Sequence, residues 1–421
     1  MSEKGKLPLE GLKVADFGRL VNAPMAAKYL ADYGATVVQV ESPLQAPSRV
    51  MFPFYEGKPG FNRSGTYAAY NSSKYSITLN FKNPKGLEVA RQIVTWADVM
   101  IENFAPGTKG KWGLSYEDVR KINPQIIMVS SSMLGETGPH NMQRGVGEQL
   151  CGLAGLTYLT GWEDRVPAGL PNVYPDFIAP FYIISAIMGA LINRKKTGKG
   201  CYIDLSQLET AMSFLIPTIL NYTVNGKIQG PAGNSSEYAV PHGAYKCQGN
   251  DRWCAIAVFT DEEWEKFSKA IGNPEWVHSP RFASFLNRKQ NEAELNKLIE
   301  QWTTKYSAEE VMNIMQKAGV AAGVVQNGED LSKDPQLKYR NHFVPVEQPE
   351  MGMYAHEASS FKLSKTPANI RPAPRFGEHT KYVCLDILGM TQAEFNNLFN
   401  EDVFTGPLLE KSEMSKNYFN K

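Results

Sequence analysis

The sequence predicts an α/β fold, in which a parallel sheet is covered by helices and a second domain of different texture follows. Three observations carry this. Over the first 130 residues, short β-branched runs alternate with amphipathic segments, the pattern of strand–helix–strand units. A long apolar helix and one more strand then extend the pattern to Ser206. Beyond residue 240 the texture changes to a hairpin followed by clustered helices.

Val14–Phe17 reads as the first strand and Pro24–Tyr33 as a helix stopped by Gly34, where a left-handed residue is favoured. Thr36–Glu41 is β-branched and returns as a strand; residues 43–66 form a loop rich in Pro, Gly and aromatics. Ile77–Asn80 is a third strand. Asn83-Pro84 is an N-cap with Pro at the first helical position, and Leu87, Ala90, Ile93, Val94 and Ala97 then share one face of a helix. Val99–Ile101 and Ile126–Ser130 are buried-type strands flanking a helix over Tyr116–Ile122. After Asp176 an apolar helix is expected to about Arg194, then a turn over Lys195–Gly200 and a strand at Cys201–Ser206. Ala244–Cys247 and Trp253–Val258 predict a hairpin, with helices at 261–271, 291–305 and 307–318. Residues 222–240 and the proline-bearing stretch 345–375 read as linkers, and a last helix begins near Thr380.

Charge is nearly balanced, 44 basic against 43 acidic residues, which argues against a nucleic-acid partner. The charged start is unlike a secretory signal. The apolar runs Phe181–Ile192 and Met212–Leu220 fall short of the roughly 18 residues of a spanning helix, so no membrane partner and a cytoplasmic location are expected. Cys151, Cys201, Cys247, Cys254 and Cys384 form no CxxC pair, and the six histidines show no ligand spacing; no metal site is expected.

Asp16-Phe17-Gly18 mimics a kinase triplet but lacks the accompanying loops, and reads as a strand end and turn. No GxGxxG follows the first strand, and no GxSxG elbow is present. Lys195–Gly200 lacks P-loop spacing. His242, beside Pro241 and Gly243, reads as structural before catalytic. Asp176 follows Tyr174-Pro175 at the start of the most apolar helix. Alone it would be read as a helix cap.

The wider pattern points elsewhere. Pro8–Phe17, Leu30–Glu41, Asn71–Leu79, Asp98–Gly107 (DVMIENFAPG), Asn123–Ser130, Thr197–Gln207 (TGKGCYIDLSQ) and Pro374–Thr380 (PRFGEHT) resemble the class III CoA-transferases, the CaiB/BaiF family. The likeness spans nearly the whole chain. It implies a Rossmann-like large domain with a parallel sheet built from both chain ends, a smaller α+β domain, and an interlocked dimer. The expected divisions are 1–221 for the large domain, 222–240 for a linker, 241–335 for the small domain, 336–375 for a second linker, and 376–421 for the return to the large domain.

By the same resemblance Asp176 is the catalytic nucleophile, lying after a stretch that begins at Thr160-Gly161. Coenzyme A, a substrate and not a tightly bound cofactor, is expected at Val21, Asn22, Leu79, Lys82, Asn103, Phe104, Ala105, Lys111 and Arg144. The basic members of this set suit its phosphates. Many members carry a base just after the second strand, where this chain has Ser42-Pro43, and some have a glycine run where this chain has Asn234–Tyr238. The implied partners are an acyl-CoA donor such as succinyl-CoA, a carboxylic acid acceptor, and a second copy of the chain or a related subunit. Phe52, Phe54, Tyr55 and Trp162 hint at an aromatic or dicarboxylic acceptor such as benzylsuccinate. Two alternatives stand beside this reading: an α-methylacyl-CoA racemase, whose histidine position falls on Val146, and a non-catalytic subunit of a heteromer.

Overall fold

A computed structural model describes residues 6–42, 46–170 and 172–404. The chain divides into two units: residues 1–157, 169–227 and 338–421 form the first, and residues 158–168 and 228–337 the second.

The first unit is built on six parallel strands, β1 (Lys13–Asp16), β2 (Thr36–Glu41), β3 (Tyr75–Thr78), β4 (Val99–Glu102), β5 (Ile127–Ser132) and β6 (Cys201–Ser206), in the order β3-β2-β1-β4-β5-β6. Register is regular: Val14 stands between Val37 and Val99, and Ala15 between Val38 and Met100. Side chains alternate across a strand, and both faces here are apolar. Val14, Val37, Val99, Ile127 and Val129 face helices α1 (Asn22–Asp32) and α7 (Tyr174–Thr197). Ala15, Val38, Ile77, Met100 and Met128 face helix α3 (Pro84–Trp96) and, from the chain's C-terminal part, Val383, Cys384, Val403 and Phe404.

All six strands come from residues 13–206. The first unit is built from both chain ends, but its strands are not: the C-terminal part covers one face of the sheet with helical segments. Its apolar residues recur at helical spacing and seat side by side on a sheet that is already paired.

Between the strands lie α2 (Gly65–Tyr70), α4 (Tyr116–Ile122), α5 (Gly147–Leu153), α6 (Leu156–Leu159), α8 (Gln207–Met212) and α9 (Ile216–Asn225). Helix α1 starts two residues before the predicted Pro24, because proline is tolerated in a first turn. The Asn83 side chain caps α3 by accepting from the Lys85 N–H. Helix α7 runs through Lys195 and Lys196 and ends at Gly198, with φ +70°. Its 24 residues make it long and apolar enough to cross a membrane, against the expectation drawn from the shorter runs. Ala179, Ile183 and Ile187 are instead fully buried against the sheet.

The second predicted linker is also corrected. Residues within 336–375 form an antiparallel hairpin, Phe343–Gln348 paired with Gly352–Glu357. Buried Gln348 exchanges two hydrogen bonds of 2.9 Å with the backbone of Ala373. The first predicted linker starts late, because residues 222–225 complete α9.

The second unit has a three-stranded antiparallel sheet of His242–Lys246, Trp253–Ala257 and Ala321–Val324, the last of which was not predicted. Helices Asp261–Ala270, Glu292–Thr303 and Ala308–Lys317 pack on it through Phe267, Ile299, Val311 and Met315.

One buried cation organises the centre of the first unit. Lys74 Nζ donates to Asp16 Oδ2 at 2.7 Å, to the Pro24 carbonyl at 2.8 Å and to Asn71 Oδ1 at 2.8 Å. Both members of the ion pair are fully buried. Breaking such a pair strands a charge in the interior and costs about 3–5 kcal/mol. Lys74→Met should lower unfolding free energy by that amount in urea titrations; a loss below about 1 kcal/mol would show that the pair does not hold the fold.

Candidate active site

In a parallel sheet, ligands gather at the carboxyl ends of the strands, where the strand order reverses. Here that point is β1, which has β2 on one side and β4 on the other. The loop leaving β1 is tightly set. Asp16 Oδ1 accepts the Gly18 N–H at 2.8 Å, and a Cβ on Gly18 would stand 2.7 Å from the Ala23 Cβ. The Asp-Phe-Gly triplet is thus a strand end and turn, with Asp16 paired to Lys74.

Asn22 opens α1 and is 1% exposed. Its Nδ2 donates to Asp176 Oδ1 at 3.3 Å, across 154 residues of sequence. Asp176 is half-buried in the first turn of α7. The cap residue of that helix is Val173, and no side chain caps it. The carboxylate is therefore not spent on the helix end, which removes the bland reading of Asp176. Its other oxygen packs on Gly147, where a Cβ would stand 2.4 Å away. Pro180, four residues on, has no N–H to offer the Asp176 carbonyl, so the helix is weakened at this turn.

Burial raises the Asp176 carboxyl from 3.8 to about 6, and the Asn22 hydrogen bond pulls it partly back. The group is ionised at neutral pH yet more basic than a free carboxylate. Burial also pushes the nearby Cys151 thiol up, with the Asp176 charge a smaller contributor in the same direction.

The residues expected to meet coenzyme A all fall at the carboxyl edge, after β1, β3, β4 and β5, but their side chains are not equally free. Val21 is buried and forms the cap position of α1. Leu79 is fully buried in the core, so only its backbone can face a ligand. Asn103 is occupied: its amide grips the Arg19 backbone through two 2.8 Å hydrogen bonds. Phe104 is nearly buried and supports the Arg19 guanidinium, 4.6 Å from the ring centre. Lys82, Ala105, Lys111 and Arg144 are exposed.

The sequence reading missed Arg19, which Asn103 and Phe104 hold at the switch point. It also missed Lys109, whose Nζ meets Glu102, Glu136 and Ser130 at 2.7–2.8 Å. Burial works against its charge, but the two carboxylates hold it above the ordinary lysine value.

His242 is a structural tether in the second unit, with Nδ1 2.6 Å from the Asn234 carbonyl. Val146, at the racemase histidine position, is the exposed cap residue of α5. Pro43 lies outside the described residues, and Ser42 is buried.

A model of CoA-transferase family III matches residues 9–380. The chain belongs to that family. It is 29% identical over 392 residues to the succinyl-CoA–D-citramalate CoA-transferase of Chloroflexus aurantiacus, covering 93% of this chain and 96% of that one. It is also 29% identical over 406 residues to the beta subunit of a succinyl-CoA–L-malate CoA-transferase of the same organism, covering 94% and 98%. Among solved structures, a CaiB/BaiF family protein from Brucella suis superposes with a TM-score of 0.84 at 30% identity, over 91% of this chain and all of that one. The protein is a CoA-transferase.

The raised carboxyl of this CoA-transferase carries a stability signature. The folded group keeps its proton up to about pH 6, whereas the unfolded group loses it near 3.8. Between these values the folded state binds more protons, so stability falls as pH rises through the window. Asp176→Asn removes the penalty. It should gain up to roughly 3 kcal/mol at pH 8, shrinking as the pH is lowered toward 4, in denaturant titrations at each pH. A difference that does not change with pH would show that the carboxylate is well solvated.

Proposed function

We propose that the protein moves CoA from succinyl-CoA to a dicarboxylic acid by covalent catalysis at Asp176. The observation that carries this is the Asp176 carboxylate itself: half-buried, not used as a cap, basic for its type, and held at the carboxyl edge of the sheet by Asn22. The named relatives, which act on citramalate and malate with succinyl-CoA, support the donor and the dicarboxylate class.

The Asp176 oxygen attacks the thioester carbon, the C–S bond breaks, and CoA leaves as thiolate from a mixed anhydride. The thiolate then attacks the Asp176 carboxyl carbon and expels the donor acid with the bridging oxygen, leaving an aspartyl-CoA thioester. The acceptor carboxylate attacks that thioester, releasing thiolate and forming a second anhydride. Thiolate attack on the acceptor's carbonyl gives the new acyl-CoA and restores Asp176. Each step forms one bond and breaks one, with no net proton change. Covalent catalysis divides a hard exchange into easier ones. Holding the groups at reacting distance is worth up to about 7–11 kcal/mol.

An aromatic acceptor such as benzylsuccinate gains no support from the residues that suggested it. Phe52 is 82% exposed, Phe54 forms a β-bridge with Ser64, the Arg63 guanidinium lies over Tyr55, and Trp162 packs on Gly233 in the second unit. The named relatives support an aliphatic dicarboxylate instead. A racemase needs a base on each face of the substrate carbon, and no histidine lies among the described contacts of Asp176. The interlocked homodimer belongs to the same proposal. The apolar residues Phe181, Ile192, Ile216, Leu220 and Tyr222, exposed on α7 and α9, support it.

Incubation with succinyl-CoA and a panel of dicarboxylic acids, read by mass spectrometry, should give new acyl-CoAs with aliphatic acceptors. Asp176→Asn should bind CoA and lose exchange by several orders of magnitude. Hydroxylamine should trap wild-type Asp176 during turnover. Label at Glu148 or Asp164, or an active Asp176→Asn variant, would refute the assignment. Separately, Lys111→Ala and Arg144→Ala should each weaken CoA binding by about 1.5–3 kcal/mol, the range for charge-assisted bonds, measured by calorimetry. Unchanged affinity in both would remove them from the phosphate contacts.

A further inference from the structure

Two kinds of carbon are attacked in the proposed cycle. One is the acyl carbon of substrate. The other is the carboxyl carbon of Asp176, struck by thiolate from the anhydride and by the acceptor acid from the thioester. Charge then develops on the Asp176 oxygen that remains doubly bonded.

We propose that Asn22 is a catalytic residue, whose Nδ2–H donates to that oxygen while the Asp176 carboxyl carbon is under attack. The inference rests on the covalent reading above and deepens it. The geometry puts the donor in place before the reaction: Nδ2 lies 3.3 Å from Asp176 Oδ1, while Oδ2 is set against Gly147. The two oxygens are thereby distinguished. Oδ1 is the one equipped to stay a carbonyl, and Oδ2 is the one free to bridge to the acyl group.

The resting distance is long for a hydrogen bond to a carboxylate, which usually closes to about 2.7–2.9 Å. A bond that tightens only when the tetrahedral intermediate forms favours the transition state over the resting state, as catalysis requires. The donor is also rigid. Asn22 is 1% exposed at the start of α1, whose first turn is tied to Lys74 through the Pro24 carbonyl.

The orientation of the amide is set by charge. Turned over, its carbonyl would face the Asp176 oxygen, and the two would repel. In the orientation seen, Asn22 Oδ1 is buried with no hydrogen-bond partner among the described residues. A buried carbonyl without a partner is disfavoured. A residue serving only to fill this space would be better apolar, so the amide is explained by its other end.

In the step concerned, sulfur bonds to the Asp176 carboxyl carbon and the carbonyl electron pair moves to Oδ1. The pair returns as the bond to Oδ2 breaks and the donor acid leaves as carboxylate. Asn22 donates throughout and keeps its proton.

The test uses the full chain with Asn22→Ala and Asn22→Leu, the second roughly keeping the volume while removing the donor. Losing one such donor should lower kcat by about 10²–10³-fold. Mixed with succinyl-CoA and no acceptor, the wild type should carry mainly a CoA adduct in intact-protein mass spectra. Both variants should shift toward the succinyl adduct, because attack on substrate proceeds while attack on Asp176 is slowed. The acid limb of kcat/KM should move to higher pH in Asn22→Ala, since the donor that favours the ionised carboxylate is gone. A wild type that forms the CoA adduct, with variants of unchanged adduct ratio, would overturn the role of Asn22 and leave the covalent cycle standing. A raised KM for succinyl-CoA at unchanged kcat would do the same and make Asn22 a CoA contact only. No adduct on the wild type at all would overturn both.

Discussion

Everything at the carboxyl edge of the large unit depends on where one ammonium group sits. Lys74 joins the end of β1, the first turn of α1 and Asn71 just beyond α2. Burial lowers the Lys74 pKa, and Asp16 opposes that shift. A neutral side chain could not hold three separate acceptors on one point in this way. With β1 and α1 so fixed, and Gly18 allowing the tight passage between them, Asn22 has essentially one place to be. The Asp176 carboxylate takes its hydrogen bond from that place.

The same region shows how a weak nucleophile is made stronger. Carboxylates are poor nucleophiles because water solvates them well and they give up little by keeping their charge. Half-burial in the first turn of α7 removes part of that solvation. Among the described residues, no side chain caps the helix and no cation pairs with the carboxylate to compensate for it. One neutral amide pulls back part of the pKa rise that burial causes. The fold therefore stores instability at Asp176, and the surrounding apolar packing, Ile178 and Ala179 onward, holds it in place.

The sequence made the sheet legible because its strands are short, β-branched and evenly spaced. Thr36–Glu41, Cys201–Ser206 and the helix Tyr116–Ile122 lie where periodicity placed them. The hairpin within 343–357 was hidden by its prolines, since Pro345 and Pro349 mimic linker chemistry; the strand tolerates Pro345 in a two-stranded sheet, where each strand is an edge. The strand Ala321–Val324 is too small and too weakly β-branched to stand out. At the site, Asp176 was found by likeness to other sequences and not by any local pattern. Its dependence on Gly147 was not legible at all, because a missing Cβ matters only once the other side of the gap is known. Arg19 and Lys109 are ordinary basic residues in sequence, and become distinctive through Phe104 and Asn103 on one side and Glu102 and Glu136 on the other.

The covering of the sheet by residues 383–404 has a consequence for biosynthesis. The strands are all in hand once Ser206 has been made, yet the face bearing Ala15, Val38, Ile77 and Met128 waits for Val383, Cys384, Val403 and Phe404. Roughly 180 residues of translation intervene, and at about 5–20 residues per second the delay is on the order of 10–35 seconds. During that time the ribosome carries a sheet whose one apolar face has α3 in place but lacks the rest of its cover. Most of the second unit, a continuous stretch at 228–337, emerges within the same interval and brings its own core. The nascent chain is thus exposed to chaperones, and to misassociation, on one known surface until its last helical segments arrive.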